Sequence, residues 1–350
     1  MTSMTFPSHF VHHEDIITGA TRAFGRYEIT KEQIFAFART FDPQPMHLDE
    51  VAARASIAGG LCASGFHTCA ILMRMMCDGV ILTSASLGSP GVDEVRWLKP
   101  VRPGDVLSVR GTWGEKRVSA SRPHVGISKS LFELLNADGD VVATLRSNQM
   151  LALRNPPKVA PPASGAAAPP KAVQRVASLW DEPAASAPQP SRTSNYFEDR
   201  TVGELADLGQ HTFERDDIIA FARAFDPQLF HLDEEVGRRS LFGGLSASGW
   251  HTASVFVRKL IDWRQAVEAE IRGAGGSVAA WGPSPGFKDC RWLKPVLAGD
   301  TISFRNQTSA LIPLKSRPDR GLVVAENQGR NQKGEIVFLI TTQVLAERST

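Results

Sequence analysis

Two long stretches of this 350-residue chain repeat each other at a constant spacing of 184 residues. Between positions 34 and 68, 23 of 35 residues are identical to their partners at 218–252, without a gap. The spacing becomes 195 at the RWLKPV segment, found at 96–101 and 291–296, so the second copy holds 11 extra residues, which we expect in the Gly-rich stretch 272–285. A period this long predicts two fused domains of one type, because solenoid repeats have periods of roughly 20 to 50 residues.

A proline-rich segment separates the two copies. Residues 155–195 contain nine prolines, many Ala and Ser, and few charged or large apolar residues. Such a composition buries too little surface to offset the entropy lost on ordering, so we predict a linker at 155–195 between domains at 1–154 and 196–350. Each domain has about 150 residues, enough for one compact core. Val176, Leu179 and Trp180 form a short apolar patch that could dock onto a domain, although an undocked linker is the favoured interpretation.

The composition argues against several classes of function. The net charge is +2, with 42% hydrophobic and 22% charged residues, so nothing predicts a nucleic-acid or membrane partner. The four cysteines have no CxxC spacing, and only one lies in the second repeat, which argues against a disulfide framework or a zinc site. The first residues lack a signal-peptide pattern, and no segment has membrane-spanning length. We therefore expect a cytoplasmic protein.

Each repeat has the pattern of helices followed by strands. Thr30 and Gln33 form a capping box that opens a helix, which we expect to end at Asp42 because Pro43 disfavours helical backbone before it. We place His47 in the irregular segment beyond, and a mostly apolar helix from Gly65. Four alternating segments then predict antiparallel strands. The predicted fold class is α+β, with an antiparallel sheet wrapped around one central helix.

The strongest functional signal is an Asp and a His five residues apart in both repeats, Asp42 with His47 and Asp226 with His231. A glycine, Gly65 or Gly249, follows each His by 18 residues and begins the apolar helix. With the KPV-x-x-GD ending of a later strand, this order resembles the MaoC-like hydratase/dehydratase family of hot-dog folds, over nearly all of the chain outside the linker. The resemblance implies two tandem hot-dog domains that form one double hot-dog.

The resemblance also implies a hydro-lyase that converts a 2-enoyl thioester into a 3-hydroxyacyl thioester, with (R) stereochemistry. Asp42 and His47, and likewise Asp226 and His231, would hold and deprotonate a water. The backbone amides of Gly65 and Gly249 suit an oxyanion site, because the first amides of a helix are unpaired and lie in positive potential. Four residues are predicted to support the pairs: Gln44, Gln228, Ser64 and Ser248.

That reaction needs no metal and no redox cofactor. The expected partner is an acyl thioester, with coenzyme A a better candidate for its carrier than acyl carrier protein, and a homodimer of double hot-dogs is possible. Asp49 and Asp233 complete an H-x-D that could indicate a metal, but a role in capping the next helix is favoured. His67 and His251 are interpreted as packing or supporting residues.

Two other classes of function stay open at this stage. A hot-dog thioesterase would need a carboxylate on the central helix, where the first repeat offers only Asp78, near the wrong end, and the second repeat only Asp262. A non-catalytic acyl-binding protein predicts that Asp and His do not converge in at least one repeat. Pro45 in the first repeat is Leu229 in the second, so the two sites could differ in activity.

Overall fold

The computed structural model describes residues 6–7, 9–156, 177–181 and 193–349. Most of the predicted linker at 155–195, including Val176, lies outside these residues. Ten antiparallel strands form one sheet. The strands are β1 (Thr21–Glu28), β2 (Gly91–Trp97), β3 (Val106–Val118), β4 (Val125–Leu135), β5 (Val141–Ala152), β6 (Leu205–Thr212), β7 (Gly286–Trp292), β8 (Thr301–Pro313), β9 (Arg320–Asn331) and β10 (Ile336–Glu347).

The α-helices of each repeat lie between its first and second strands. They are α1 (Lys31–Phe41), α2 (Pro45–Leu48), α3 (Glu50–Ala55), α4 (Gly65–Met76), α5 (Arg215–Phe225), α6 (Glu234–Arg239) and α7 (Gly249–Gly273). The central helix α4 is almost entirely buried, because nearly all of its residues are apolar and the sheet curves around it. The start of α7 has the same role in the second repeat.

The sheet order is β1-β3-β4-β5-β2-β7-β10-β9-β8-β6, so each half mirrors the other about the β2–β7 pair. In that pair Gly91 lies opposite Arg291 and Arg96 opposite Gly286, which are equivalent positions of the two repeats. A Cβ on Gly91 would lie 2.3 Å from the backbone oxygen of Cys290. Glycine is therefore needed here for the two half-sheets to approach. This is the predicted α+β double hot-dog.

The hydrophobic core runs without a break across both repeats. Phe66 of α4 stacks on Phe287 of β7 with ring centroids 5.5 Å apart. Phe37 of α1 meets Phe225 of α5 edge to face at 5.8 Å. Such aromatic contacts add to the burial of apolar area, so each repeat completes the core of the other.

Several local predictions from sequence are confirmed. Thr30 and Gln33 cap α1 reciprocally, and Asp42 ends that helix. His47, however, lies in the single helical turn α2 rather than in irregular backbone. The edge strands β1 and β6 were not anticipated. Each of them carries several exposed residues and so lacks the strong apolar alternation of a half-buried strand.

The prediction that the 11 extra residues lie in the Gly-rich stretch is largely wrong. Val11 pairs with Ser84 in the first repeat, as Ser194 does with Ser277 in the second, so the paired residues are 73 positions apart in the first repeat and 83 in the second. Ten of the extra residues therefore precede Ser277. Most of them extend α7 to Gly273, whereas α4 ends at Met76 and is followed by one π-helical turn.

Part of the predicted linker docks onto the second repeat. Leu179 is buried, and its amide donates to Oε1 of Gln328 at 3.0 Å. Arg305 and Arg330 both contact the ring of Trp180, with their guanidinium carbons 5.1 and 4.6 Å from the ring centroid. All four cysteines of the chain are free and buried. Within the described ranges, no helix is both long and apolar enough to cross a membrane.

Candidate active site

The Asp and His of each repeat converge. Asp42 ends α1, and the turn of α2 brings His47 back towards it, so that Oδ2 of Asp42 lies 3.6 Å from Nε2 of His47. In the second repeat the Asp226–His231 distance is 3.5 Å. All four side chains are buried. These distances are too long for a strong direct hydrogen bond and leave both groups able to bind one water. We call the pairs the first site and the second site.

Each imidazole is oriented by a backbone carbonyl. Nδ1 of His47 lies 2.8 Å from the carbonyl oxygen of Cys62, and Nδ1 of His231 lies 2.7 Å from that of Ser246. A carbonyl oxygen can only accept, so Nδ1 carries the hydrogen in both rings. Nε2 is thereby left to face the carboxylate and to exchange a proton.

The predicted supporting residues hold the carboxylates. The hydroxyl of Ser64 donates to Oδ2 of Asp42 at 2.6 Å, and Nε2 of Gln44 donates to Oδ1 at 2.8 Å. Ser248 and Gln228 make the same bonds to Asp226, at 2.6 and 2.9 Å. Each serine also accepts from the second amide of the central helix. One hydroxyl therefore links the carboxylate to the start of that helix.

Gly65 and Gly249 are the first residues of α4 and α7. Within the described part of the chain, no hydrogen bond uses either amide, as expected for the first turn of a helix. The need for glycine has a cause that we did not foresee. A Cβ on Gly65 would lie 2.4 Å from the indole of Trp97, and one on Gly249 would lie 2.3 Å from that of Trp292.

The two histidines differ in their electrostatics. Burial lowers the pKa of His47, but the charge of Asp42 and the contacts with Cys62 outweigh burial and raise the pKa to about 9. In the second site burial dominates and lowers the pKa of His231, against the charge of Asp226 and the bond to Ser246. His47 is therefore protonated near neutral pH and His231 is neutral.

A cavity of about 470 Å³ opens onto the second site. Apolar side chains from both repeats line it, among them Met76 and Val80 of the first repeat and Phe230 and Phe242 of the second. Such a mostly apolar cavity with a few convergent polar groups is typical of a small-molecule site.

The first repeat also supplies polar contacts to the second site. The Cys77 thiol donates to Oδ1 of Asp226 at 3.4 Å, and the Ser86 hydroxyl donates to Oε1 of Gln228 at 2.9 Å. Neither residue was predicted from the sequence. No local motif marks them, because the contacts join positions more than 140 residues apart.

The other candidate residues from the sequence cap helices or pack in the core. Asp49 caps α3 and Asp233 caps α6, and no group of three or more residues able to ligate a metal occurs in the described ranges. His67 stacks on Phe37 at 4.4 Å and His251 on Phe221 at 4.7 Å. Burial lowers the pKa of each of these histidines to about 3, so both are neutral packing residues.

The carboxylates that a thioesterase would need are engaged elsewhere. Asp78 pairs with Arg74, and Asp262 pairs with Arg258, each at 2.7 Å. Both arginines also donate to backbone carbonyls at the end of the α1 or α5 helix of the opposite repeat. These ion pairs therefore brace the two sites from outside.

Comparison with known proteins places the chain in a family. The model of the MaoC like domain matches residues 16–133 and again 198–319. A crystal structure of a MaoC domain protein dehydratase from Chloroflexus aurantiacus superposes with a TM-score of 0.75 at 17% identity, covering 99% of this chain and 100% of that one. A Mycobacterium tuberculosis protein with a double hotdog fold has a TM-score of 0.66 at 13% identity, covering 98% and 99% of the two chains. At these identities the two structures show the fold alone.

The uncharacterized Bacillus subtilis protein YdeM is 32% identical over 80 residues, which are 23% of this chain and 57% of that protein. The match thus spans little more than half of that relative. The family model, by contrast, matches most of the chain and does so once in each repeat. The chain therefore belongs to the MaoC-like dehydratase family, with two copies of its domain in one double hot-dog.

Proposed function

We propose that this protein is a hydro-lyase that reversibly hydrates 2-enoyl thioesters, with coenzyme A as the carrier, at two sites in each chain. The proposal rests on one observation above others: the Asp–His pair recurs at 3.6 and 3.5 Å, beside a helix that begins with a free glycine amide. Family membership supports hydratase or dehydratase chemistry. The apolar cavity at the second site suits an acyl chain.

The groups of the site can account for each step of the hydration. A water between the carboxylate and Nε2 loses a proton to the pair, and its oxygen bonds to the β-carbon. The same proton is delivered to the α-carbon, so the elements of one water are added and no other reactant is needed. Charge that develops on the thioester oxygen is stabilised by the helix-leading amide, a contribution of about 3 kcal/mol for such donors.

The protonation states divide the roles differently in the two sites. His47 is protonated near neutral pH because its pKa is raised to about 9, so Asp42 is the base of the first site and His47 donates a hydrogen bond to the water. In the second site, the lowered pKa of His231 leaves it neutral, and its Nε2 can accept the proton of the water.

The function is tested by mixing purified protein with a panel of 2-enoyl-CoA thioesters and following loss of the conjugated absorbance alongside free-thiol release. Hydration without thiol release is expected. Asp42→Asn should remove the turnover of the first site, and Asp226→Asn that of the second, each by about 100-fold or more. The double variant should have neither activity. Thiol release without hydration would show a thioesterase, and loss of all turnover in either single variant would refute two independent sites.

A further inference from the structure

The wall opposite each Asp–His pair is built by the other repeat, and the two walls differ in chemistry. At the second site, the cavity lining from the first repeat includes Ile16, Ala20, Val80 and Ser86. These side chains are apolar or small. At these four positions the wall offers an acyl group no charge, and the charged residues that the first repeat adds to the lining, Asp15, Arg22 and Arg122, are exposed.

The equivalent positions of the second repeat are charged or aromatic. The spacing of 184 relates β1 to β6 and α4 to α7, and so carries Ile16 to Arg200, Ala20 to Glu204 and Val80 to Arg264. Ser86 and Trp281 are equivalent because Ser86 pairs with Leu151 as Trp281 does with Ala346. At these four positions the second repeat therefore has two arginines, a glutamate and a tryptophan where the first repeat has small or apolar residues.

These four residues form one stack. The guanidinium carbons of Arg264 and Arg200 lie 4.3 and 4.9 Å from the ring centroid of Trp281, within the range of cation–π attraction. Arg200 also pairs with Glu204 at 3.5 Å, and both side chains are almost fully buried. Glu204 thus compensates Arg200, whereas Arg264 has only the ring and distant charges.

Two members of the stack, Arg264 and Trp281, have donors that no acceptor among the described residues occupies. Among the described residues, Arg264 makes no hydrogen bond or ion pair, and Nε1 of Trp281 is buried without a partner. A guanidinium has five N–H donors. Arg264 is half-buried, so water can reach its donors, but a buried polar group such as the Trp281 N–H normally finds a partner, and its lack of one calls for an explanation.

Three observations place this stack beside the first site. The neighbour of Arg264 in α7, Gln265, donates to the carbonyl oxygen of Pro43 at 3.0 Å. A Cβ on Gly282 would lie 3.2 Å from Cδ1 of Ile57, whose equivalent Leu241 lines the cavity at the second site. Burial and the charge of Arg200 lower the pKa of Arg264 to about 10, while Asp42 and Glu268 act in the opposite direction.

We propose that the first site takes a short 2-enoyl thioester whose far end carries a carboxylate, with Arg264 and the indole N–H of Trp281 as its receptors, while the second site takes an apolar acyl chain. A carboxylate accepts two parallel hydrogen bonds from a guanidinium and thereby satisfies donors that are otherwise unused. The inference rests on the proposed function and specifies its substrates. The reaction is the same addition of water, so no further reactant is required.

The test compares two five-carbon substrates that differ only at the far end, 2-pentenoyl-CoA and its carboxylate analogue glutaconyl-CoA. Asp226→Asn leaves the first site alone, and Asp42→Asn leaves the second alone. In kcat/KM the first site should prefer glutaconyl-CoA by about tenfold or more, the effect of one charge-assisted hydrogen bond. The second site should prefer 2-pentenoyl-CoA.

In the next variants Arg264 is replaced, first by valine, which is the residue at the equivalent position 80 in the lining of the second site. In the Asp226→Asn background, Arg264→Val should abolish the preference for glutaconyl-CoA, mainly through KM, and Arg264→Lys should retain part of it. Arg239→Val, which removes an exposed arginine from α6, is the matched control and should leave the preference intact. Arg264→Val in the Asp42→Asn background should still hydrate 2-pentenoyl-CoA, which shows that the chain has folded.

The outcomes separate the two proposals. If the wild type hydrates neither substrate, the proposed function fails. If the wild type is active, three results would overturn the assignment of Arg264 and leave the proposed function standing. The first site could prefer 2-pentenoyl-CoA, or it could be inactive towards both substrates. It could also keep its preference for glutaconyl-CoA in both Arg264→Val and Arg264→Lys. Loss of turnover at both sites in Arg264→Val would show that this variant unfolds. The preference of Arg264→Lys for glutaconyl-CoA would then test the assignment of Arg264.

Discussion

The same Asp–His pair has different protonation in the two repeats because of a single neighbouring residue and the degree of burial. Cys62 stands beside His47 where Ser246 stands beside His231, and both supply a carbonyl to Nδ1. Burial lowers the pKa of either ring, but Asp42 and Cys62 more than offset it at His47. Two sites with the same Asp and His can therefore differ in acid–base behaviour.

We predict that His47 titrates near pH 9 and that Asp42→Asn lowers this pKa, since the carboxylate charge that opposes the effect of burial is then lost. The raised pKa stabilises the fold fully below pH 6.5, and this contribution is lost as pH rises through about 9. NMR titration of the imidazole Cε1 signals measures the shift. Asp226→Asn is the control and should leave the His47 titration in place; a pKa near 6.5 in the wild type would contradict the electrostatic account.

At the scale of elements, the start of the central helix serves packing and chemistry at once. Ser64 caps α4 and holds Asp42, and the next residue presents its amide while Trp97 covers its α-carbon. Glycine is thus required because the indole occupies the space of a Cβ, and it also lets a ligand approach the backbone amide closely. The same construction begins α7.

Replacing Gly65 by Ala should lower the free energy of unfolding by about 1–3 kcal/mol, the usual cost of overpacking a core. The new Cβ would lie 2.4 Å from the Trp97 ring, so the start of α4 must shift and first-site turnover should fall. Chemical denaturation measures the stability. Gly273→Ala, at a helical glycine with nothing within 4 Å of the added Cβ, should have almost no effect; equal effects of the two changes would contradict this role of Trp97.

The whole molecule is organised so that neither site is complete in one repeat. Cys77 and Ser86 of the first repeat reach the second site, and Arg258 and Gln265 of the second repeat bond to carbonyl oxygens around the first. The continuous sheet through β2 and β7 holds these contacts in register. Because the two domains are fused in one chain, the residues that each repeat contributes to the other repeat's site can differ. A homodimer of such chains stays a prediction.

A change in the first repeat should therefore impair the second site selectively. Cys77→Ile installs the residue found at the equivalent position 261 and removes the thiol bond to Asp226. In the Asp42→Asn background we expect about a fivefold fall in kcat, as for a hydrogen bond of about 1 kcal/mol. In the Asp226→Asn background turnover should be unchanged. Equal losses in both backgrounds would instead indicate a general loss of stability.

The sequence by itself determined the repeat, the α+β class, the helix from Thr30 to Asp42 and the Asp–His–Gly set, because each depends on local chemistry or on spacing along the chain. The edge strands β1 and β6 escaped notice, since their apolar pattern is weak. The extra residues of the second repeat were predicted in the Gly-rich stretch, because glycine is typical of loops. Most of them instead add turns to α7, where ordinary helix-forming residues give no signal of an insertion.

Only the tertiary structure decided which repeat forms the wall of which site. Cys77 lies beside Asp226 and Gln265 bonds to Pro43, because the β2–β7 pair and the shared core bring together residues more than 140 positions apart. Burial, and with it the pKa of His47, depends on everything packed around the ring. Local patterns identify the reacting groups, and long-range packing sets their charge and their surroundings.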